Sequence, residues 1–278
     1  MIKALIYIST LAIILILVIA INPFRKYTDR IYADTRKLGP KPNTGQSLDW
    51  LNSQSQWKLD KLQLDNGITL YGVVHVPQNN DPNTPWLLYF HGNGKLDLAS
   101  MPGIYQQLAG DQDWGFAVWG YRGFGLSEGV STKTTMRDDS VIMAKRLMQQ
   151  WHVSHQQIRI YGFSLGTAPA THAAMVLSVE GQAPAGVVLM ATGYRPGLPG
   201  SLLYDPGSEV SRRDRITCPI LITHGTKDHI HPLKAAISDY LALQSANAEL
   251  LLVPGGHDHL NAPHVRQIIH DFLADPNS

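Results

Sequence analysis

The sequence predicts an α/β protein: a mostly parallel, doubly wound sheet, opened by an antiparallel hairpin and preceded by an N-terminal transmembrane helix. Three observations carry this. From Trp86 onward, short apolar runs alternate with helical stretches, the order that builds βαβ units. Several of the runs are continuously apolar, as in strands covered on both faces. The first residues form one long apolar stretch unlike anything that follows.

That stretch, Ala4 to Ile21, is apolar except for Tyr7, Ser9 and Thr10. As a helix it would reach about 27 Å, close to the ~30 Å hydrocarbon core of a bilayer. It reads as an uncleaved membrane anchor over residues 1–24. The competing reading is a signal peptide with Lys3 as its charged region and a cut after Ala20, which would make the rest secreted or periplasmic. The apolar run is longer than an ordinary signal core, and Arg25 and Lys26 follow it. Arg25, Lys26, Arg30, Arg36 and Lys37 outnumber Lys3, so the positive-inside tendency turns the following domain toward the cytoplasm. Residues 25–56, with Gly-Pro, Lys-Pro and Asn-Thr-Gly, read as a linker, and residues 57–278 as the folded domain.

Within that domain, Trp57 to Leu64 and Ile68 to Val76 are strands joined by Asp65-Asn66-Gly67, a hairpin signal. Trp86 to Phe90, Gly115 to Trp119, Ile158 to Tyr161, Ala185 to Met190, Pro219 to Thr223 and Ala248 to Val253 supply further strands. The helices between and after them are Leu98 to Gly110, Thr134 to Trp151, Leu165 to Val179, Pro232 to Leu243 and Pro263 to Leu273. With 278 residues, 44% of them hydrophobic, the chain is large enough for one substantial core. A net charge of +1 argues against nucleic acid as a partner. The single cysteine, Cys218, excludes an internal disulfide and reads as a buried thiol beside an apolar strand.

The chemistry is carried by Gly162-Phe163-Ser164-Leu165-Gly166, between a strand and a small-residue helix. A strand–turn–helix junction of this kind forces the serine into a strained backbone conformation, while the flanking glycines let strand and helix approach. On its own the pattern is also compatible with a plain glycine-rich turn. A serine hydroxyl further needs a base, an orienting carboxylate and donors for an oxyanion. The carboxylate is expected at Asp228 in His224-Gly225-Thr226-Lys227-Asp228, just beyond an apolar strand, with Asp205 and Asp214 as rivals. The base is expected at His257 in Gly255-Gly256-His257-Asp258-His259, with His259 as the alternative. The loop His91-Gly92-Asn93-Gly94 offers the Asn93 N–H as one oxyanion donor, and the Leu165 N–H is the other. His229-Ile230-His231 and His257-Asp258-His259 would suit a zinc site, but the order of the serine motifs disfavours a metal hydrolase.

Taken with Tyr121-Arg122-Gly123-Phe124-Gly125, these motifs resemble the α/β-hydrolase superfamily from about Leu59 to the C-terminus. The set is most similar to its small, minimally capped, membrane-associated branch, which includes depalmitoylases and lysophospholipid or monoacylglycerol lipases. The resemblance implies Ser164 as nucleophile, Asp228 as acid, His257 as base, the Asn93 and Leu165 backbones as oxyanion donors, and no metal or other cofactor. Arg122 is expected to tie loops together without touching the chemistry. Gly193 to Arg213 is too short for a helical lid and reads as an irregular flap. The expected activity is hydrolysis of an ester or thioester on a small, lipid-like or protein-borne acyl substrate near the membrane that residues 4–21 enter. The alternatives are a carboxylesterase for small esters and, from another class, a non-catalytic binding protein on a hydrolase fold.

Overall fold

A computed structural model describes residues 53, 55–79, 81–94, 96–192, 215–243 and 247–278. The anchor expected over 1–24 and nearly all of the linker expected over 25–56 lie outside the described residues. So do the flap expected at Gly193 to Arg213 and the rival carboxylates Asp205 and Asp214. Among the described residues, no helix is long and apolar enough to cross a membrane.

Strand periodicity sets the architecture. In β3 (Trp86–Phe90), Trp86, Leu88 and Phe90 enter one hydrophobic cluster while Leu87 and Tyr89 enter another. The same split recurs in β6 (Gly186–Met190), where Val187 and Leu189 oppose Val188 and Met190. Side chains alternate across a pleated sheet, so continuously apolar strands require cover on both faces. One cover contains α1 (Met101–Ala109) and α5 (Pro263–Ala274), with Leu108, Val265, Ile269 and Leu273 buried. The other contains α2 (Lys133–Gln150) and α3 (Thr167–Val179), with Met143, Leu147, Ala173 and Leu177 buried. A further helix, α4 (Leu233–Ala242), packs on β7 and β8.

The remaining strands are β1 (Trp57–Gln63), β2 (Thr69–His75), β4 (Gly115–Trp119), β5 (Ile158–Phe163), β7 (Ile220–Gly225) and β8 (Ala248–Val253). They form an eight-stranded sheet in the order β1-β2-β4-β3-β5-β6-β7-β8. β1 and β2 pair antiparallel, β2 meets β4 antiparallel, and all later pairings are parallel. The expected hairpin edge and doubly wound sheet are therefore present. The start of α2 matches its local chemistry: Thr132 caps it by accepting from the Thr135 N–H, and Thr135 answers in a capping box. Where the expected helix began at Leu165, residues Ser164–Gly166 instead form a tight 3₁₀ turn ahead of α3. Buried charge is compensated: Asp60 accepts from Trp119 Nε1 and from the Arg146 guanidinium fork. Cys218 is buried, and burial pushes its thiol up to about 12, as expected of a structural residue.

Candidate active site

The strand order places β5 at the centre of the sheet, and the chain turns sharply where β5 ends. Ser164 has φ of 53°, a left-handed conformation that costs energy for a residue with a side chain. The turn fits only because its neighbours are small. A Cβ on Gly166 would lie 2.0 Å from the Phe90 carbonyl oxygen, and one on Gly162 would lie 2.7 Å from Ala170 Cβ. The elbow is thus wedged between the end of β3 and the first turn of α3. Thr167 Oγ1 donates to the Ser164 carbonyl at 2.7 Å and helps hold it.

Asp228 sits in the turn after β7. Its Oδ1 accepts from the Ile230 N–H at 2.8 Å and the His231 N–H at 2.9 Å. Its Oδ2 accepts from His257 Nδ1 at 2.8 Å, and its carboxylate is shielded from solvent. Burial alone would raise this carboxyl, but the bonds from His231, His257 and Ile230 outweigh it and hold it below the usual carboxylate range. Because the carboxylate accepts at Nδ1, His257 carries its proton there and presents a bare Nε2. Ser164 Oγ donates to that Nε2 at 2.9 Å. Hydroxyl, imidazole and carboxylate form one continuous hydrogen-bonded chain.

The loops carrying acid and base are stitched to each other. The Lys227 N–H donates to the Gly255 carbonyl at 2.8 Å, and the Thr226 N–H to the Val253 carbonyl at 2.9 Å. A Cβ on Gly225 would lie 2.1 Å from the Gly256 oxygen, so the two loops touch backbone to backbone. Two histidines to which the sequence assigned no part beside Asp228 stand against it. His231 Nδ1 donates to the Ala191 carbonyl at 2.7 Å, and its ring lies 4.8 Å from that of His257. His224 Nε2 donates to the His231 carbonyl at 3.1 Å and stands 3.7 Å from Asp228 Oδ2. His231 could have been suspected from its place three residues after Asp228; His224 had no separate signal.

His259, the alternative base, is turned elsewhere: it is buried, with Nε2 2.9 Å from Thr223 Oγ1. The two His-x-His pairs do not act as pairs either: His229 is exposed while His231 is buried, and His257 meets Ser164 while His259 meets Thr223. Asp228, His231 and His257 do bring donor atoms within 4.8 Å of one another, a set that zinc accepts. The Asp228 oxygens, however, are already engaged by three N–H groups, which makes a hydrogen-bonded chain the better description of the set. Arg122 forks onto buried Asp139 with two bonds of 2.7 Å, a tie between the β4 loop and α2.

The oxyanion candidates flank the serine. A Cβ on Gly92 would meet the Phe163 ring at 2.9 Å and Ser164 Cβ at 3.4 Å, so the loop containing Asn93 runs directly against Ser164. Among the described residues, no backbone carbonyl accepts from the Asn93 N–H. Leu165 follows Ser164 within the 3₁₀ turn. In front of these groups opens a cavity of about 450 Å³, whose wall includes Leu96, Met101, Ile104, Phe163 and Ile230. These apolar positions are scattered over two loops, the end of β5 and α1, and no sequence pattern joined them.

No family model matches the chain. The human α/β-hydrolase domain-containing protein 17C is 26% identical over 180 residues, covering 63% of this chain and 53% of that protein. A Caenorhabditis elegans α/β-hydrolase domain-containing protein, aho-3, is 28% identical over 185 residues, covering 64% and 54%. The match thus spans about half the length of these relatives. A Pyrococcus furiosus esterase of known structure superposes with a TM-score of 0.63 at 16% identity, over 84% of this chain and 96% of that one. At that identity the likeness speaks for the fold.

Proposed function

We propose that this chain, a member of the α/β-hydrolase superfamily, is a serine hydrolase that cleaves an ester or thioester by acyl transfer. One observation carries the reading: Ser164 Oγ at 2.9 Å from His257 Nε2, with His257 Nδ1 at 2.8 Å from Asp228. In the proposed cycle His257 takes the hydroxyl proton as Ser164 attacks the carbonyl carbon. The Asn93 and Leu165 N–H groups receive the negative charge that forms on the carbonyl oxygen. Collapse expels the alcohol or thiol, which collects the proton from His257. Water then repeats the sequence on the acyl-enzyme, releasing the acid and restoring Ser164. Asp228 holds the imidazole in its Nδ1–H tautomer and stabilises the cation during each transfer.

The apolar wall of Leu96, Met101, Ile104, Phe163 and Ile230 supports an acyl chain as the substrate's distinguishing group. Ile230, 66% exposed, extends that wall to the cavity mouth. An anchor at Ala4 to Ile21 with a short linker would keep the site near a bilayer, where acylated lipids and proteins concentrate; the charge pattern turns the domain toward the cytoplasm.

A fluorophosphonate probe should label the wild type and not Ser164→Ala, whose kcat should fall by about 10⁴ or more. A folded wild type that stays unlabelled would instead favour a binding protein. Esters of increasing acyl length, run beside a palmitoyl thioester and a lysophospholipid, test the substrate class. A strong preference for acetyl would leave a small-ester carboxylesterase.

A further inference from the structure

We infer that His91 is a positioning residue for the oxyanion hole: its Nδ1–H grips the Gly92 carbonyl and thereby aims the Asn93 N–H at the reacting carbonyl oxygen. The inference rests on the acyl-transfer reading of Ser164 and adds a residue to it.

The geometry begins with the peptide unit. In a trans peptide, the C=O of one residue and the N–H of the next point in opposite directions. Fixing the Gly92 oxygen therefore fixes where the Asn93 N–H points. Two donors hold that oxygen: His91 Nδ1 at 2.9 Å and the Gly94 N–H at 3.0 Å. A loop of Gly92, Asn93 and Gly94 would otherwise rotate its peptide planes at little cost.

The imidazole that does the holding is itself locked. It stacks on Tyr121 with ring centres 4.1 Å apart, and Phe124 meets it edge-on at 5.3 Å. Tyr121 Oη donates to the His91 carbonyl at 2.9 Å, so ring and backbone are both clamped by one neighbour. A carbonyl can only accept, which assigns the proton to Nδ1 and leaves Nε2 as a bare lone pair. Among the described residues, that buried Nε2 has no hydrogen-bond partner. An unsatisfied buried acceptor weakens the fold, so stability alone would favour an apolar ring here. The Nδ1 donor is what His91 offers that phenylalanine does not.

This arrangement yields opposite expectations for stability and catalysis, which a merely structural role would not. His91→Phe keeps the ring, its volume and its stacking on Tyr121, but loses the donor and the orphaned nitrogen. Its melting temperature should equal or exceed that of the wild type, while kcat falls about 10- to 100-fold, below the ~10²–10³ expected for losing a hole donor outright. KM for the same ester should stay within about three-fold, because the hole grips the transition state more than the substrate. Binding of a trifluoromethyl ketone, which forms a tetrahedral adduct on Ser164, should weaken in proportion to kcat/KM. His91→Asn, whose amide nitrogen can replace Nδ1, should recover most of the rate. If His91→Phe does not fold, His91→Ala against His91→Asn makes the same comparison. The inference is overturned if His91→Phe retains wild-type kcat, if His91→Asn is as slow as His91→Phe, or if rate and melting temperature fall together. Failure of the underlying reading looks different: Ser164→Ala would then keep its activity, or the wild type would not react with the probe.

Discussion

Ser164 and its two hydrogen-bonded partners are held in place by different means. Ser164 is set by its own backbone: a strained φ of 53°, with Gly162 and Gly166 packed against α3 and the end of β3. Asp228 and His257 lie on loops after the last two strands and are set by hydrogen bonds to each other's loops and to the Ile230 and His231 amides. The elbow is rigid because nothing larger fits; the acid–base pair is ordered because each part satisfies another. Substitution should therefore break the two regions differently, the elbow through folding and the pair through catalysis.

The largest effect should come from the pair. Asp228→Asn keeps the shape but cannot enforce the Nδ1–H tautomer of His257, so kcat should drop by about 10⁴, far more than the modest stability lost with the depressed carboxyl. Steady-state kinetics beside a denaturant titration would show the split; a large stability loss would mean that Asp228 chiefly holds the loop. Next in size is Gly166→Ala, which forces a methyl group to within 2.0 Å of a backbone oxygen and should cost about 3 kcal/mol. Gly256→Ala, where a Cβ meets nothing within 4 Å, should stay within about 0.5 kcal/mol. Equal losses at the two positions would erase the distinction between a wedged elbow and an open base loop.

The pH dependence sharpens the comparison further. Burial holds the His91 imidazole down at about 4, only partly offset by its bond to Gly92, while in the unfolded chain it returns to about 6.5. Between those values the unfolded state takes up a proton that the folded state refuses. Stability on the oxyanion side therefore falls as pH drops from 6.5 toward 4, by up to about 3 kcal/mol. Burial also lowers His75, His231 and His259, which adds to the slope in the same direction. Asp228 acts at the acid end: its depressed value gives stability that is fully present above the usual carboxylate range and lost as pH falls below that range through the lower folded value. Denaturant titrations at pH 7, 6 and 5 should show His91→Phe with a shallower decline than the wild type. Parallel curves would mean that His91 takes up its proton while folded.

The same division explains what could be read without coordinates. The elbow was legible because strand, turn and helix are contiguous and each has a local signature. Asp228 and His257 were found by chain order, just beyond apolar strands. His259 could be set aside only once its side chain was seen on Thr223. His224, His231 and the cavity wall stayed hidden because their roles depend on which loops meet above the sheet. The strand order itself, with β4 between β2 and β3, is a matter of pairing across distant segments.

By itself, the amino-acid order determined the layered α/β architecture, the strained turn at Ser164 and the candidates for the reacting groups. These follow from side-chain periodicity and from the conformations glycine permits, which act over a few neighbouring residues. Tertiary structure alone decided which histidine faces the serine and how the carboxylate is satisfied. Those depend on hydrogen bonds spanning a few ångströms between residues far apart in the chain, and a bond of that length exists only once the whole sheet has brought its loops together.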